Sequence, residues 1–350
     1  MNSKYVSGFV YVPSGGETLY TNVLLPEREG KFPTVIFRNP YVSWAENATE
    51  EKVTVECLRE LERWLGRGYT VVHQHCRGTG KSSGDFIPYL NEHEDSNNLY
   101  DWVRRQPFYN GELFLSGNRH ERFGPVYEAD WFDYIRGLRS SPVELGKVTY
   151  YSLFENKWKS DDFVPPEEEI VLPLGQNTVT YKYNPYDPPS FKGGLSTNFG
   201  GAEFQDKPNS RHDIISVYVA PFPSDTLVKG RIRAKLVVSS DREDTCFVMR
   251  VSIEKERGDF PLRDDITTLC YALGDYTPGE KAEIDFAFDE HAFLIRRGER
   301  LRVDVASADS AHYVRHTNLK GLYSAQDRAV VAKNTVYLGD SCLIIPKAEQ

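Results

Sequence analysis

The stretch YNGELFLSGNRHERFG, from Tyr109 to Gly124, decides the fold of the first part of the chain. It begins as a short apolar strand at Leu113–Leu115 and then turns sharply at Ser116–Gly117. Polar and charged residues follow the turn directly. The elements before this stretch alternate between strands and helices, whereas the chain some twenty residues beyond it contains strand patterns alone. The fold therefore changes shortly after this turn.

The residues before the turn predict a parallel sheet with crossover helices. The runs TVIFRN (34–39) and YTVVHQH (69–75) are nearly continuous and apolar, which is typical of strands buried on both faces. Apolar residues at helical spacing lie between these two runs, from Val53 to Leu65, and a second helix is predicted to begin near Ser96. We interpret Glu92, Glu94 and Asp95 as residues preceding this helix at its positive end. Two further alternating segments at the N-terminus, YVSGFVYV and TLYTNVLL, predict a pair of strands.

From about residue 141 the pattern changes to period-2 segments separated by Pro, Gly, Asp and Asn. About nine short strands without a helix are typical of a β-sandwich of the jelly-roll type. ITTLCYAL (266–273) and TVYLGDSCLIIP (335–346) are each counted as one strand in this prediction. The predicted fold class is α/β plus all-β, with an α/β domain at residues 1–140 and a C-terminal jelly-roll β-sandwich at residues 141–350.

Composition excludes several classes of function. The 350 residues are 40% apolar and 13% aromatic, enough for a sizeable core, and the net charge is −9. Basic residues are scattered rather than clustered, which argues against nucleic acid and anionic membranes as partners. The first residues have no signal-peptide pattern, and no apolar run approaches the ~20 residues of a membrane span. We expect a cytoplasmic protein, with a homo-oligomer left open.

The cysteine and histidine patterns predict no cofactor and no metal. Five widely spaced cysteines without a C-x-x-C pair are typical of reduced core residues. His73 and His75 share one face of a strand and Cys76 follows them, so a metal site is conceivable. No fourth ligand is in view, and the preferred interpretation is two structural histidines at a strand end.

Several phrases in chain order resemble the family of X-Pro dipeptidyl-peptidases, cocaine esterases and α-amino-acid ester hydrolases. These phrases are FRNPY (37–41), QHCRGTGKSSGDF (74–86), LYDWVRRQPFYNGELFLSG (99–117), WFDYIRG (131–137), NKWKSDDFVPP (156–166), YNPYDPPSFKGG (183–194), AKLVVSSDREDTCF (234–247) and GERLRVDVASADSAHYVRHTN (298–318). The resemblance implies a serine hydrolase of esters or amides with an α/β-hydrolase domain, an inserted helical cap and a C-terminal jelly roll. It also implies that Tyr41, which ends the FRNPY phrase, forms part of the oxyanion hole and donates a hydrogen bond from its hydroxyl to the oxyanion.

The catalytic turn of the family is not conserved in the quoted stretch. A serine hydrolase needs its serine on a tight turn of the form G-x-S-x-G, activated by a histidine. Arg119 stands at the position of that serine, and a guanidinium remains protonated and cannot attack a carbonyl. Ser116 lies two or three places earlier and is more typical of a strand-end serine that caps the next segment. His120 is either the surviving base of the family or an exposed loop histidine.

The spacing after Gly117 indicates that a whole block is absent. About thirty residues separate Gly117 from the predicted sandwich, enough for about one strand-helix unit. The family's remaining strands, its cap and its catalytic acid do not fit into that length. The segment RHERFGPVYEADWFDYIRG (119–137) resembles the part of the family that follows the catalytic histidine. A natural deletion, a gene-model error and deliberate construction all explain such a junction.

These residues predict a shortened member of the family whose candidate catalytic residues are Tyr41, Ser116 and His120 and whose activity is impaired. A small ester or peptide would be its substrate by resemblance. The alternative is a non-catalytic module in which the jelly roll binds a carbohydrate or peptide. Exposed aromatic and acidic residues such as Tyr183, Tyr186 and Asp187 would support this alternative, and Pro-rich linkers of the family explain them equally well.

Overall fold

The computed structural model describes residues 5–40, 63–88, 90–116, 122–123, 126–193 and 201–349. The chain divides into two units, Met1–Leu145 and Gly146–Gln350, and each is described by itself. In the described part of the chain, no helix is both long and apolar enough to cross a membrane.

The first unit is built on a mixed five-stranded sheet. Its strands are β1 (Tyr5–Ser14), β2 (Glu17–Pro26), β3 (Phe32–Asn39), β4 (Thr70–His75) and β5 (Tyr109–Ser116). The strand order is β1-β2-β4-β3-β5, in which β3 pairs in parallel with both β4 and β5 and the pairs that involve β2 are antiparallel. The predicted parallel strands are thereby confirmed, and β5 is the last strand of the described sheet.

Helices cover this sheet. They are α1 (Glu92–Arg104) and α2 (Glu128–Ile135), and residues 63–66 are also helical. The predicted helix from Val53 to Leu65 lies mostly outside the described residues. A small hairpin of β6 (Arg122–Phe123) and β7 (Val126–Tyr127) precedes α2. Every residue of β4 is buried, because the sheet is covered on both faces.

Helix α1 begins earlier than its sequence pattern predicts. The prediction places Glu92, Glu94 and Asp95 before a helix that starts near Ser96, but all three lie in its first turn. Acidic side chains in the first turn are stabilised by the unpaired backbone N–H groups there, so they extend the helix rather than precede it. Asp95 is fully buried and accepts hydrogen bonds from Ser14 and from Arg77, both at 2.6 Å, which ties the helix to β1.

The second unit is a β-sandwich. Its strands are β8 (Val148–Ser152), β9 (Lys157–Asp161), β10 (Glu169–Pro173), β11 (Thr178–Tyr183), β12 (Ile215–Tyr218), β13 (Thr226–Gly230), β14 (Arg233–Ser240), β15 (Cys246–Lys255), β16 (Gly258–Thr268), β17 (Ala282–Ala287), β18 (His291–Ile295), β19 (Leu301–Ala306), β20 (Ala332–Tyr337) and β21 (Cys342–Ala348). An eight-stranded sheet and a four-stranded sheet of order β12-β19-β15-β16 contain most of these strands, and β8 pairs with β9 in a separate hairpin. Apolar side chains from both sheets form one continuous core.

Two strand predictions in this unit are wrong in detail. ITTLCYAL ends a strand at Thr268 and continues as a short helix, α3 (Leu269–Leu273), so the unit is not free of helix. The Thr268 side chain accepts a hydrogen bond from the backbone N–H of Tyr271, which begins the helix. TVYLGDSCLIIP is two strands joined by a 3-10 turn at Leu338–Asp340, where Gly339 and Asp340 interrupt the apolar pattern. A second 3-10 turn lies at Tyr323–Ala325.

Candidate functional site

The carboxyl ends of the parallel strands meet at one edge of the first sheet. Asn39 at the end of β3 pairs with His75 at the end of β4, and Phe37 pairs with Ser116 at the end of β5. Ligands and catalytic groups of open α/β sheets collect at this edge. Ser116 is therefore placed where the fold presents its chemistry.

The Ser116 hydroxyl donates a hydrogen bond to Oε2 of Glu128, the first residue of α2, at 2.6 Å. Burial raises the pKa of the Glu128 carboxyl, and the hydrogen bond from Ser116 partly opposes that rise. An aliphatic hydroxyl becomes a nucleophile when a well-placed base, usually imidazole, takes its proton. The contact with Glu128 joins the end of β5 to the start of α2.

Ion pairs and aromatic contacts hold α2 against the sheet. Arg67 bonds Asp130 and Asp133 of α2, each at 2.9 Å, and the Tyr69 hydroxyl donates to Asp133 at 2.9 Å. The ring of Phe132 stacks on that of Phe114 in β5, with centroids 4.6 Å apart. These contacts fix the position of Glu128 beside Ser116. Sequence reasoning did not single out Glu128, although an acidic residue opening a helix just after β5 was a usable signal.

The other candidate residues of this site fall outside the described part of the chain. Tyr41, Arg119 and His120 belong to ranges of which the structure gives no account. The pairing of Ser116 with His120 and the oxyanion role of Tyr41 therefore stay predictions.

The histidines of β4 are core residues with polar rings. His73 and His75 are both buried, and their ring centroids lie 5.7 Å apart. Burial, assisted by the nearby His75, lowers the pKa of His73 to about 4, so its ring is neutral near pH 7. The candidate metal group found among the described residues does not include them or Cys76.

The three residues proposed for ligand binding on the second unit differ in their exposure to solvent. Tyr186 is 65% exposed, and the Asp187 carboxylate is also exposed. Tyr183 is fully buried, and its hydroxyl donates to the backbone carbonyl of His316 at 3.1 Å. The prediction that Tyr183 is an exposed binding residue is wrong, because alternate residues of β11 face the core and Tyr183 is one of them.

A cavity of about 640 Å³ opens in the second unit. Its wall includes Asp264 and His312, and these two residues with the fully buried Asp309 form a cluster that could hold a metal. The guanidinium of Arg250 already bonds Asp264 at 2.9 Å and Asp309 at 3.1 Å, while Nδ1 of His312 contacts Asp309 at 2.5 Å. Arg250 thus supplies the positive charge that a metal would bring, and the group is a protein ion-pair network.

A second cavity, of about 470 Å³, has an aromatic wall formed by Tyr150, Tyr151 and Phe163. The rings of Tyr150 and Phe163 meet edge to face at 4.8 Å, and the Tyr150 hydroxyl donates to Asp161 at 2.7 Å. Arg263 lines both cavities. Sequence reasoning did not identify this region, because its residues come from separate segments.

Family models match both halves of the chain. The model of the X-Pro dipeptidyl-peptidase (S15 family) matches residues 15–118, and that of the X-Pro dipeptidyl-peptidase C-terminal non-catalytic domain matches residues 145–342. The second match covers more than half of the chain. The first match ends two residues after Ser116.

One curated relative is the cocaine esterase of Rhodococcus sp. (strain MB1 Bresler). It is 28% identical to this chain over 118 residues, which are 32% of this chain and 19% of the esterase. The aligned part is thus a minor fraction of that enzyme.

Solved structures share the fold over almost the whole chain. An aminopeptidase from a marine sediment archaeon, Thaumarchaeota archaeon, has a TM-score of 0.72 and 13% identity, covering 99% of this chain and 97% of that chain. An α-amino acid ester hydrolase has a TM-score of 0.71 and 13% identity with the same coverage. A CocE/NonD family hydrolase from Staphylococcus aureus has a TM-score of 0.59 and 14% identity, covering 98% of this chain and 93% of that chain. With the family models, these similarities establish that the chain belongs to the family of X-Pro dipeptidyl-peptidases, cocaine esterases and α-amino-acid ester hydrolases.

Proposed function

We propose that the chain is a shortened, catalytically impaired member of this hydrolase family, derived from a serine enzyme acting on a small ester or peptide. The observation that carries the proposal is the hydrogen bond from Ser116 to Glu128 at 2.6 Å. It gives the serine at the end of β5 a structural role. Arg119, at the position of the family's nucleophile, cannot replace it.

The arrangement of the chain after β5 supports an absent internal block. Among the described residues between β5 and the second unit, the helix α2 follows a two-strand hairpin, and no strand there joins the five-stranded sheet. The two family models leave residues 119–144 unmatched between them. A segment of that length has no room for further strands, a cap and a catalytic acid.

A serine-directed fluorophosphonate probe tests this proposal. We expect no stoichiometric labelling of the purified chain, because the probe reacts with serines that an adjacent base activates. The Ser116→Ala variant should then be labelled to the same low extent as the unmodified chain. Labelling of Ser116, located by peptide mass spectrometry and lost in Glu128→Gln, would instead make these two residues a working serine-carboxylate pair.

A second candidate function is ligand binding by the C-terminal sandwich, with a carbohydrate or peptide as the ligand. The two adjoining cavities favour it, since concave sites with aromatic walls and a few polar groups are typical of small-molecule binding. Tyr183 takes no part in it, because its side chain is buried.

A further inference from the structure

Arg263 lines both cavities of the second unit, and no described residue neutralises its charge in an ion pair. It belongs to β16, which ends the four-stranded sheet. Its side chain lines both cavities and, among the residues that the structure describes, has no ion-pair partner. The other two cations of the larger cavity are paired, Lys192 with Asp206 and Arg250 with Asp264. Arg263 is thus the cation available to an incoming ligand.

Two acidic residues line the same cavities as Arg263. Asp289 lines the larger cavity and Glu290 the smaller, and neither has an ion-pair partner in the described part of the chain. The remaining acids are engaged. Asp264 pairs with Arg250, and Asp265 accepts the backbone N–H groups of Ile266 and Ala287. Counted over the described residues, the two cavities therefore offer one cation and two carboxylates without an ion-pair partner.

Each cavity also contains an imidazole nitrogen that lacks a hydrogen-bond partner. Nδ1 of His291 donates to the backbone carbonyl of Asp289 at 2.8 Å, so Nε2 is left as an acceptor, and it has no donor in the described structure. Burial lowers the pKa of His291 to about 4, which keeps the ring neutral. In His312, Nδ1 faces Asp309, and the buried Nε2 has no hydrogen-bond partner among the described residues. A ligand with N–H donors would satisfy such acceptors.

The aromatic wall is held rigidly beside these charges. Backbone hydrogen bonds between Leu153 and β18 fix the β8–β9 hairpin, with Leu153 N donating to Ala292 O at 2.9 Å and Leu294 N to Leu153 O at 3.0 Å. Tyr150 and Phe163 are further packed beneath the Lys229 ammonium, which lies 5.5 Å and 5.3 Å from their ring centroids. An apolar side chain would find a preformed surface there.

We propose that the cleft formed by Tyr150, Tyr151, Phe163, Arg263, Asp289 and Glu290 binds a zwitterionic ligand, a free amino acid or short peptide with an aromatic side chain. Arg263 takes the α-carboxylate, Asp289 and Glu290 take the α-ammonium, and the side chain lies against the aromatic wall. The assignment rests on the second candidate function and specifies its ligand. It is independent of the Ser116 site.

Calorimetric titration of the full chain with the dipeptide Gly-Phe and its blocked forms tests the assignment. We expect Gly-Phe to bind, and both N-acetyl-Gly-Phe and Gly-Phe amide to bind about ten-fold more weakly, since each lacks one charge. Arg263→Gln should weaken Gly-Phe about ten-fold and leave the affinity for the amide unchanged. Glu290→Gln should weaken the binding of Gly-Phe but leave the binding of N-acetyl-Gly-Phe unchanged.

Matched controls are Arg231→Gln and Glu256→Gln, which change exposed charges outside the cleft and should leave binding unchanged. Blocked and free peptides that bind equally well, or an Arg263→Gln variant with normal affinity, would overturn the zwitterion assignment while leaving ligand binding in place. If the chain binds maltotriose but does not bind Gly-Phe, the ligand of the cleft is a carbohydrate and the zwitterion assignment is overturned. Absence of binding for all four probes would overturn the assignment and the binding function together.

Discussion

The two units bury their apolar residues in different ways. In the second unit, one core takes residues from both sheets, among them Phe247 and Leu236, both fully buried. In the first unit, two separate clusters lie on opposite faces of the sheet, one with Leu99 of α1 and the other with Ala129 of α2. A sandwich closes its core by itself, whereas an open sheet depends on the helices and strands beside it. Loss of an internal block should therefore affect the first unit and spare the second.

The edge strand β5 is the part of the first sheet that depends on a neighbouring element to cover it. β5 is the last strand of the described sheet, and Leu115 on it is 55% exposed. Strand edges with exposed apolar residues are sites of self-association unless they are covered. The proposed absence of an internal block would leave this edge uncovered.

Separate expression of the two parts gives the largest expected effect. Residues 141–350 should form a soluble, β-rich domain with a cooperative melt, because their core is complete. Residues 1–140 alone should self-associate and bind a hydrophobic dye. Circular dichroism and sedimentation measure both outcomes. An unfolded 141–350 fragment, or a monomeric and stable 1–140 fragment, would contradict the expectation that only the second unit closes its core by itself.

Core truncations should act on one unit at a time. Phe247→Ala removes a fully buried ring of the sandwich and should lower its free energy of unfolding by about 3–5 kcal/mol. Leu99→Ala should lower that of the first unit by about 2–5 kcal/mol. Hydrogen exchange read by mass spectrometry locates each loss. Equal acceleration of exchange in both units by either variant would show that they unfold together.

Acid should destabilise the first unit through His73. Its pKa is about 4 in the folded protein against 6.5 in the unfolded chain, so the unfolded state binds more protons between these values. The contribution of the neutral His73 ring to the free energy of unfolding is fully present above about pH 6.5. It falls by up to about 3 kcal/mol as the pH decreases toward 4. His291 gives a loss of the same sign in the second unit, because burial lowers its pKa to about 4 as well.

Denaturant titrations between pH 4 and 7 measure this effect. His73→Gln should flatten the pH dependence of the first unit, whereas the exposed control His93→Gln should not. A His73→Gln protein with an unchanged pH profile would show that this ring is not the group that titrates.

The smallest effect concerns the tie between Ser116 and Glu128. Ser116→Ala removes the hydrogen bond to a partly buried carboxylate and should destabilise the first unit by about 1–2 kcal/mol. It should also raise the pKa of Glu128 further, because that hydrogen bond lowers it. NMR titration of the Glu128 carboxyl carbon follows the shift. An unmoved Glu128 pKa would mean that the contact is not formed in solution.

Local patterns were sufficient for much of the fold. Apolar runs without alternation identified β3 and β4 as buried parallel strands, and period-2 segments identified most of the sandwich. Errors arose where side chains act on the backbone. The first-turn acids of α1 start that helix before its predicted beginning, and the capping Thr268 begins α3, a helix that apolar periodicity alone does not reveal.

The candidate site depended on contacts between distant segments. Ser116 could be placed from its position at the end of a strand, but its partner Glu128 depends on how α2 docks, through Arg67 and Phe114 among other residues. The exposure of Tyr183 was misjudged because strand alternation was not applied to it. The sequence did not identify Arg263 as a candidate binding residue, because its lack of an ion-pair partner depends on which residues surround it in space.

The most direct test of the central claim is steady-state hydrolysis of p-nitrophenyl esters and X-Pro anilides by the full chain, Ser116→Ala and Arg119→Ser. A triad acts as one unit, so the proposed loss of the nucleophile turn and acid predicts slow, unsaturable turnover that is equal in all three proteins. A substantial, saturable activity that Ser116→Ala abolishes would contradict the account and make Ser116 a working nucleophile.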